Sequence, residues 1–576
     1  MKQYLLSFTI GPVQSFIGNS RKMRDLYAGS FLLSYLIIHT CNAVDALKTD
    51  IEIKRLLPVY KENETPNVPN RILLRITFSD EQCLKGENFI CGRLDGLAKF
   101  MEKEVRSEFK EIYESVFENC KIKPNKSIIA QLKDFPEVYW AYQECKNVGG
   151  GISKDDIEKI TSKLQAAKTI RPFSQTTEPA GRKCSLFPEY NAIFVKYKDD
   201  KKTQPEFLSE VIEFANEDKW FYALKPGEGL SALAFIKRML YCITDKKFQK
   251  YQYNTNIISV AYMLLKNRFE NDPVVENLFK DLSAEAAEAV FDRQNGFDLS
   301  KNTGEYTSKD VDIANELIKY LNGEKISSYY AVVKFDGDNI GSTYSNCSEE
   351  QQRQLSEEIG EFATKVPDII KEYKGECIYA GGEDFLGFFP VSKAIRALMA
   401  LREKFQEMVH NPITSEKLTF SAGIVYAHLM PPLKNVLNLA DEMERLAKKD
   451  KNSYAITVYK RSGKETIVCN PFGESCASLD ALQKIYESVS SGTLSVSSIY
   501  SLLSVLQELL DGGQAFQEEM LKPLVVSSIC PPEGKEDIIT EILNLFEQCN
   551  HDLENFTSAL KIAAFLGKEE VPCTTK

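Results

Sequence analysis

Between residues 329 and 459 the chain alternates short apolar runs with longer amphipathic ones in a fixed order. Residues 329–335 (YYAVVKF) form a β-branched and aromatic run that ends in Asp336-Gly337-Asp338, and a helical stretch from about 349 to 373 follows. Two short strands, 376–380 and 385–389, are separated by Gly381-Gly382-Glu383-Asp384, a spacing that predicts a hairpin. A helix from about 391 to 409, a strand over 418–427, a helix over 433–449 and a strand over 454–459 complete the unit. Its core order, β-α-β-β-α-β, is the ferredoxin-like arrangement. That arrangement is the palm of many nucleotide polymerases and cyclases, but a fold alone assigns no chemistry.

The pattern is fainter near the N-terminus. Leu6, Phe8 and Ile10 share one face of an alternating strand, a helix runs from about 21 to 47, and a strand covers 72–78, which predicts a second, more diverged unit. From about 95 to 325 the chain reads as mainly helical, with KYKDDKKTQPE as a loop or small insertion. From about 475 it is helical again. Ile499, Leu502, Leu503, Leu506 and Leu510 make one apolar stripe closed by Gly512-Gly513, which predicts a packed bundle. The expected fold class is α+β. Two ferredoxin-like (palm/cyclase) domains, residues 1–125 and 326–465, flank a mainly helical domain, 126–325, and precede a C-terminal helical bundle, 466–576.

Composition narrows the function classes. A chain of 576 residues, 43% hydrophobic and 27% charged, is neither a disulfide scaffold, a collagen-like fibre nor a disordered tail. With 71 Lys and Arg against 82 Asp and Glu, the net charge of −11 argues against nucleic-acid binding over the whole surface and leaves room for a local basic groove. No run of about 18 uncharged apolar residues occurs, and the N-terminus reads as strand then loop without the apolar core of a signal peptide; the expected compartment is the cytoplasm, with no membrane partner. The 14 cysteines contain no Cys-x-x-Cys pair and read as reduced thiols. His39, His410, His428 and His551 lie far apart, too few for a His-rich metal site, and the His551-Asp552 dipeptide has no companion histidines. No G-x-x-x-x-G-K-[ST] occurs, which excludes a P-loop ATPase.

The candidate chemistry is acidic. Asp336 and Asp338 end one strand, and Glu383 and Asp384 tip the hairpin that a β-α-β-β order places beside it. Close carboxylates repel unless they hold a cation, and hard oxygen ligands suit Mg²⁺ or Mn²⁺ bridging nucleotide phosphates. Gly381 and Gly382 allow positive φ and leave room for a triphosphate against the backbone. Ser421-Ala422-Gly423 offers a small-residue patch for a base or ribose, and Lys448 and Lys449 offer ammonium groups to phosphates. The bland alternative is a tight turn with a solvated acidic tip and a helix-end lysine that offsets the dipole. The order and company of these residues favour a nucleotide site.

Seven stretches carry a family resemblance: IGPVQSFIGNSRKMRDLYAGSFLLSYL at 10–36, VPNR at 68–71, GEGLSALAFIKR at 227–238, YYAVVKFDGDNIG at 329–341, YAGGEDFLGFFP at 379–390, SAGIVYAH at 421–428 and YKRSG at 459–463. With these the sequence resembles the large subunit of type III-B (Cmr) CRISPR effector complexes, a family with paired palms in which the second palm and its GGDD-type hairpin convert ATP into signalling nucleotides once target RNA pairs with guide RNA. The resemblance implies Asp336, Glu383 and Asp384 as catalytic, metal-binding carboxylates, with Asp338, Gly381, Gly382, Ser421, Gly423 and Lys448 around the nucleotide. It implies a second nucleotide or acceptor pocket at Gln14, Ser15, Arg24, Asp25 and Asn70, against the alternative that Arg24 and Asp25 are an exposed helix pair.

Three departures accompany the likeness. Many members carry an N-terminal HD nuclease domain, whereas this sequence starts at the first palm, so DNA cleavage is not expected of it. The four-cysteine zinc lobe is reduced to Cys184, with Phe187, Ser231 and Ala234 where the other ligands would stand, so no structural zinc is expected. The hairpin is GGED where GGDD is usual, which keeps the charge and adds one methylene. The implied activity is attack of an acceptor hydroxyl on the α-phosphate of ATP, with pyrophosphate release. The acceptor is either a second ATP, giving cyclic oligoadenylates, or S-adenosylmethionine, giving an AMP conjugate. A cationic acceptor favours a nearby carboxylate, for which Asp25 is the candidate and Asn70 is not. The implied partners are other Cmr-type subunits, guide RNA and target RNA. The competing functions are an inactive scaffold subunit of the same ribonucleoprotein and a stand-alone diguanylate cyclase, which the flanking motifs do not fit.

Overall fold

Strand β1 (Lys2–Gly11) sends Tyr4, Leu6, Phe8 and Ile10 into the main core and Leu5 to the opposite face, as its alternation requires. The computed structural model describes residues 2–47, 51–60, 68–78, 94–146, 152–170, 178, 180–196, 212–213, 224–225, 227–243, 248, 253–255, 257–269, 272, 275–299, 306–511, 517–529 and 536–570. After β1 come the short helix α1 (Val13–Gly18), α2 (Met23–Asp45), β2 (Glu52–Leu57), β3 (Arg71–Phe78), α3 (Leu94–Asn119) and β4 (Glu137–Glu144). The strands pair antiparallel in the order β2-β3-β1-β4, with α2 and α3 packed on one face. Helix α4 (Lys154–Thr169) covers the other face, setting Ile157 and Ile160 against Leu5, Leu56 and Leu73. The first palm therefore runs past the expected boundary at 125. Strand β4 is only partly buried along its length, so it lacks a clear apolar alternation, and its place is fixed by pairing with β1.

The inserted region is helical, with α5 (Ala232–Met239), α6 (Val260–Arg268), α7 (Ala284–Gln294) and α8 (Ser308–Leu321). It also contains an unanticipated small sheet, β5 (Phe194–Val195), β6 (Ile212–Glu213) and β7 (Gly229–Leu230), in the order β6-β5-β7. The stretch 197–206 lies outside the described residues. The four zinc-lobe positions lie close together but do other work. The Cys184 sulfur accepts the backbone N–H groups of Leu186 (3.4 Å), Phe187 (3.4 Å) and Ser231 (3.1 Å), while the Ser231 hydroxyl caps α5 by accepting from Ala234 N–H at 3.3 Å.

The second palm comprises β8 (Tyr329–Gly337), α9 (Glu349–Glu372), β9 (Glu376–Ala380), β10 (Phe385–Pro390), α10 (Ala394–Met408), β11 (Phe420–His428), α11 (Leu433–Ala447), β12 (Ser453–Lys460) and β13 (Gly463–Pro471). Its sheet order is β13-β12-β11-β8-β10-β9, and the run β11-β8-β10-β9 matches β4-β1-β3-β2 of the first palm strand for strand. Strand β13 was not anticipated and carries the domain past 465. Ala331, Val333 and Phe335 face α9 and α10, whereas Tyr330 and Val332 face the core shared with the first palm. The C-terminal bundle consists of α12 (Ala477–Ser490), α13 (Val496–Asp511), α14 (Leu521–Ser528), α15 (Glu536–Gln548) and α16 (Leu553–Glu570). Ile499, Leu502, Leu503 and Leu506 are buried in it; Gly512 and Gly513 lie outside the described residues. Glu349, at the start of α9, ties the palms together by accepting from Lys54 of β2 at 2.6 Å and from Arg75 of β3. Among the described residues no helix is long and apolar enough to cross a membrane.

Candidate functional site

A cleft of about 780 Å³ separates the two palms. Its second-palm wall starts on β8, where Lys334 and Asp336 follow Tyr330 and Val332 on the face toward the first palm. Strand β10 pairs with β8 so that Phe385 lies opposite Phe335, which brings the Gly381–Asp384 turn to the Asp336 end of the sheet. Gly381 N–H donates to Asp384 O at 3.0 Å and Gly337 N–H to Glu383 O at 3.2 Å. Gly382 has φ +98°, and a Cβ on Gly337 would lie 2.6 Å from Ile340 Cγ1 and 3.0 Å from Glu383 Cβ, so both glycines are needed for the hairpin to close there.

Helix α11 lays Asp441, Glu444 and its C-cap Lys448 along the same wall. It approaches β11 so closely that a Cβ on Gly423 would come within 2.6 Å of Glu444 N and 2.8 Å of Ala440 O. The Lys448 ammonium meets the Asp336 carboxylate, and Lys334 Nζ reaches Asp441 at 2.5 Å and Glu444 at 3.5 Å. Burial, reinforced by Asp384, pushes the Glu383 carboxyl up to about 7. Burial also raises Asp384 and Glu444, against the pull of Lys334, and lowers Lys448, helped by the neighbouring Lys334. Five carboxylates thus face two ammonium groups.

Among the described residues no three His, Cys, Asp or Glu side chains are already gathered as a metal site. The donors at the strand end are nonetheless all hard oxygens. Glu383 and Asp384 crowd each other and lose solvation, a condition that a divalent cation relieves, so this set fits Mg²⁺ or Mn²⁺.

The first palm supplies the facing wall: Gln14 on α1, Ser30 and Ser34 on α2, and Asn70 and Arg71 at the start of β3. Asn70 Nδ2 donates to Ile10 O at 3.0 Å, which fixes its side chain to the end of β1. The segment that carries Gln14, from α1 to Ser20, is braced from the inserted domain. The fully buried Lys237 ammonium donates to the carbonyls of Phe16, Ile17 (3.1 Å) and Asn19 (3.1 Å) and to the Ser20 hydroxyl (2.7 Å). A Cβ on Gly29 would lie 2.8 Å from Lys237 Cε.

Of the residues singled out in the sequence, Asp336, Gly381, Gly382, Glu383, Asp384, Lys448, Gln14 and Asn70 meet at this cleft; Asp338, Ser421, Gly423, Ser15, Arg24 and Asp25 do not line it. Ser421 is fully buried with its hydroxyl on Asp338, and Gly423 is covered by α11. Ser15 is exposed beside Gln14, and Arg24 lies over the Tyr241 ring at 4.6 Å. Asp25 is neither an exposed partner of Arg24 nor a free carboxylate. It is 1% exposed, and both its oxygens accept from Arg238, at 3.0 and 2.7 Å, while Arg238 also donates to Glu228 at 2.8 Å.

Lys334, Asp441, Glu444 and Arg71 were missed as site residues. Lys334 was recoverable, being two residues before Asp336 on one strand face; so were Asp441 and Glu444, three and four residues apart in line with Lys448.

Two family profiles match the chain: CRISPR-associated protein Cmr2, N-terminal, over residues 5–114, and Cas10/Cmr2, second palm domain, over residues 329–456. The chain is 24% identical over 574 residues to the CRISPR system Cmr subunit Cmr2 of Pyrococcus furiosus, an alignment covering 80% of this chain and 62% of that protein. It thus spans less than two thirds of that relative's length. Among solved structures it is similar to a chain of the type III-B Cmr-beta apo state, with a TM-score of 0.63 at 13% identity over 92% of this chain and 77% of that one. It is also similar to a chain of type III-B Cmr-beta bound to cognate target RNA, with a TM-score of 0.60 at 13% identity over 92% and 78%. At that identity the structural likeness is one of fold.

Proposed function

Because the chain belongs to the Cas10/Cmr2 family, we propose that it is a target-RNA-activated nucleotidyltransferase of a type III-B CRISPR antiviral effector complex, using ATP to make a signalling nucleotide. One observation carries this reading. Asp336, Glu383 and Asp384 stand at one end of the second palm's sheet and face Gln14 and Asn70 across a single cleft large enough for nucleotides. In the reaction an acceptor hydroxyl oxygen bonds to the α-phosphorus of ATP, the bond from that phosphorus to the bridging oxygen breaks, pyrophosphate leaves with the electron pair, and the hydroxyl proton passes to water.

Asp336, Glu383 and Asp384 would hold Mg²⁺ or Mn²⁺, which supplies charge neutralisation at the phosphates when bound. Lys448 adds a cation at the same end, and Gly381 and Gly382 leave the backbone open to close approach. The carboxylate-to-Lys448 contact marks where positive charge is wanted. Other Cmr-type subunits, guide RNA and target RNA are the partners that fit this assignment, and the cytoplasm is the fitting compartment.

For the acceptor we favour a second ATP over S-adenosylmethionine. Among the described residues the first-palm wall contributes one charged group, Arg71, and the carboxylate once expected for a sulfonium, Asp25, is committed to Arg238. A guanidinium there favours a polyphosphate over a cation. Mass spectrometry of products from the complex assembled with guide RNA, target RNA and Mg²⁺ or Mn²⁺ tests this, comparing ATP alone with ATP plus S-adenosylmethionine. Oligoadenylates in both reactions are expected; an adduct formed only with S-adenosylmethionine would reverse the acceptor assignment. Asp336→Ala and Asp384→Ala should each cut turnover by about a hundredfold or more. Unchanged products in both variants would instead assign an inactive scaffold.

A further inference from the structure

Asp338 completes the Asp336-Gly337-Asp338 run, yet it contributes nothing to the cleft. It is 3% exposed, and hydrogen bonds occupy both carboxylate oxygens. Oδ1 accepts the Ser421 hydroxyl at 2.7 Å; Oδ2 accepts the Thr419 hydroxyl and the backbone N–H of Asn452, each at 2.8 Å; and Asp338 N–H donates to Thr419 O at 2.8 Å. Ser421 is in β11, the neighbour of β8, and Thr419 immediately precedes that strand. Asn452 belongs to the turn that begins at Lys448, the C-cap of α11.

That turn needs to be held. Lys451 and Asn452 are consecutive non-glycine residues in the left-handed region, with φ 56° and 43°. Asn452 is fixed from three directions: its N–H by Asp338, its side-chain oxygen by Arg402 Nη2 at 3.0 Å, and its carbonyl by Phe472 N–H at 3.0 Å. The residue at the other end of the turn, Lys448, meets Asp336.

We infer that Asp338 is a positioning residue, which acts through the turn from Lys448 to Asn452 to set Lys448 against Asp336 and is not itself a ligand of cation or nucleotide. The inference deepens the nucleotide-site reading and rests on it. Its chemistry makes a distinction that a ligand role does not. Asparagine at 338 keeps an oxygen for Thr419 and Asn452 and turns an amide toward Ser421, whose hydroxyl rotates from donor to acceptor. Alanine loses all three bonds. A cation ligand, in contrast, loses most of its value once the charge is gone.

The test uses the assembled complex carrying wild-type chain, D338N, D338A, K448A or D338A/K448A, with ATP and Mg²⁺ titrated separately. D338N should stay within about threefold of wild type at an unchanged Mg²⁺ requirement, while D338A should raise KM for ATP about as much as K448A does. The double variant should be no worse than about twofold below K448A, because residues acting as one unit are not additive. Hydrogen exchange of the 449–453 amides in the full chain should be protected in wild type and D338N and faster by about tenfold or more in D338A. A D338N variant that loses activity and demands more Mg²⁺, penalties that multiply in D338A/K448A, or unchanged exchange in D338A would each overturn the inference. A wild-type complex without ATP turnover would strike the nucleotide-site reading alone, and the exchange measurement would still decide the role of Asp338.

Discussion

Glu376 opens β9, the edge strand, and burial pushes its carboxyl up to about 7 from an ordinary 4.5, with Lys266 opposing in part. A carboxyl raised on folding binds a proton that the unfolded chain gives up, so its stabilising contribution is complete below about pH 4.5 and is lost as pH rises through 7. Glu376→Gln should therefore raise the unfolding temperature at pH 8, by the equivalent of about 1–2 kcal/mol, and change little near pH 4.5. Thermal unfolding at the two pH values measures it, and a lower unfolding temperature at pH 8 would refute it. At this scale the sequence was readable where spacing was short. Asp336, Glu383 and Asp384 follow from a strand and its neighbouring hairpin. Asp25 and Asp338 were not readable, because the groups that claim them, Arg238 and Asn452, stand 213 and 114 residues further along.

At the scale of elements, the position of α11 rests on the missing side chain of Gly423. A methyl there would press on the helix backbone at Glu444 and Ala440, which has no flexible end to give way. Gly423→Ala should displace α11, destabilise the chain by about 1–3 kcal/mol and reduce ATP turnover by shifting Asp441, Glu444 and Lys448 together. Denaturant unfolding and turnover measured on one preparation check it; a drop in stability with turnover intact would show that the helix gives way without moving the wall. Most second-palm elements were legible to within a few residues, because each is bounded by its own turn and has an apolar period of its own. Strands β4 and β13 were not. Strand β4 is half-exposed along its length, and each is defined by the strand it pairs with rather than by its own pattern.

At the scale of the whole molecule, two sheets that share a four-strand order face one cleft, and Glu349 joins them by tying Lys54 and Arg75 to the start of α9. Glu349→Gln leaves two cations against a neutral group and should lower stability by about 1–3 kcal/mol. It should also lower ATP turnover by about tenfold, since a nucleotide spanning both walls depends on their separation. Turnover unchanged beside a lowered unfolding temperature would place the control of spacing elsewhere. The clamp of Lys237 on α1 and the residues just after it bears on how the molecule comes into being. The carbonyl and hydroxyl groups it caps are made 217 to 221 residues before it, a delay of about 10 to 45 s at ribosomal rates of roughly 5–20 residues per second. During synthesis the segment bearing Gln14 therefore stays without this brace until Lys237 itself has been made.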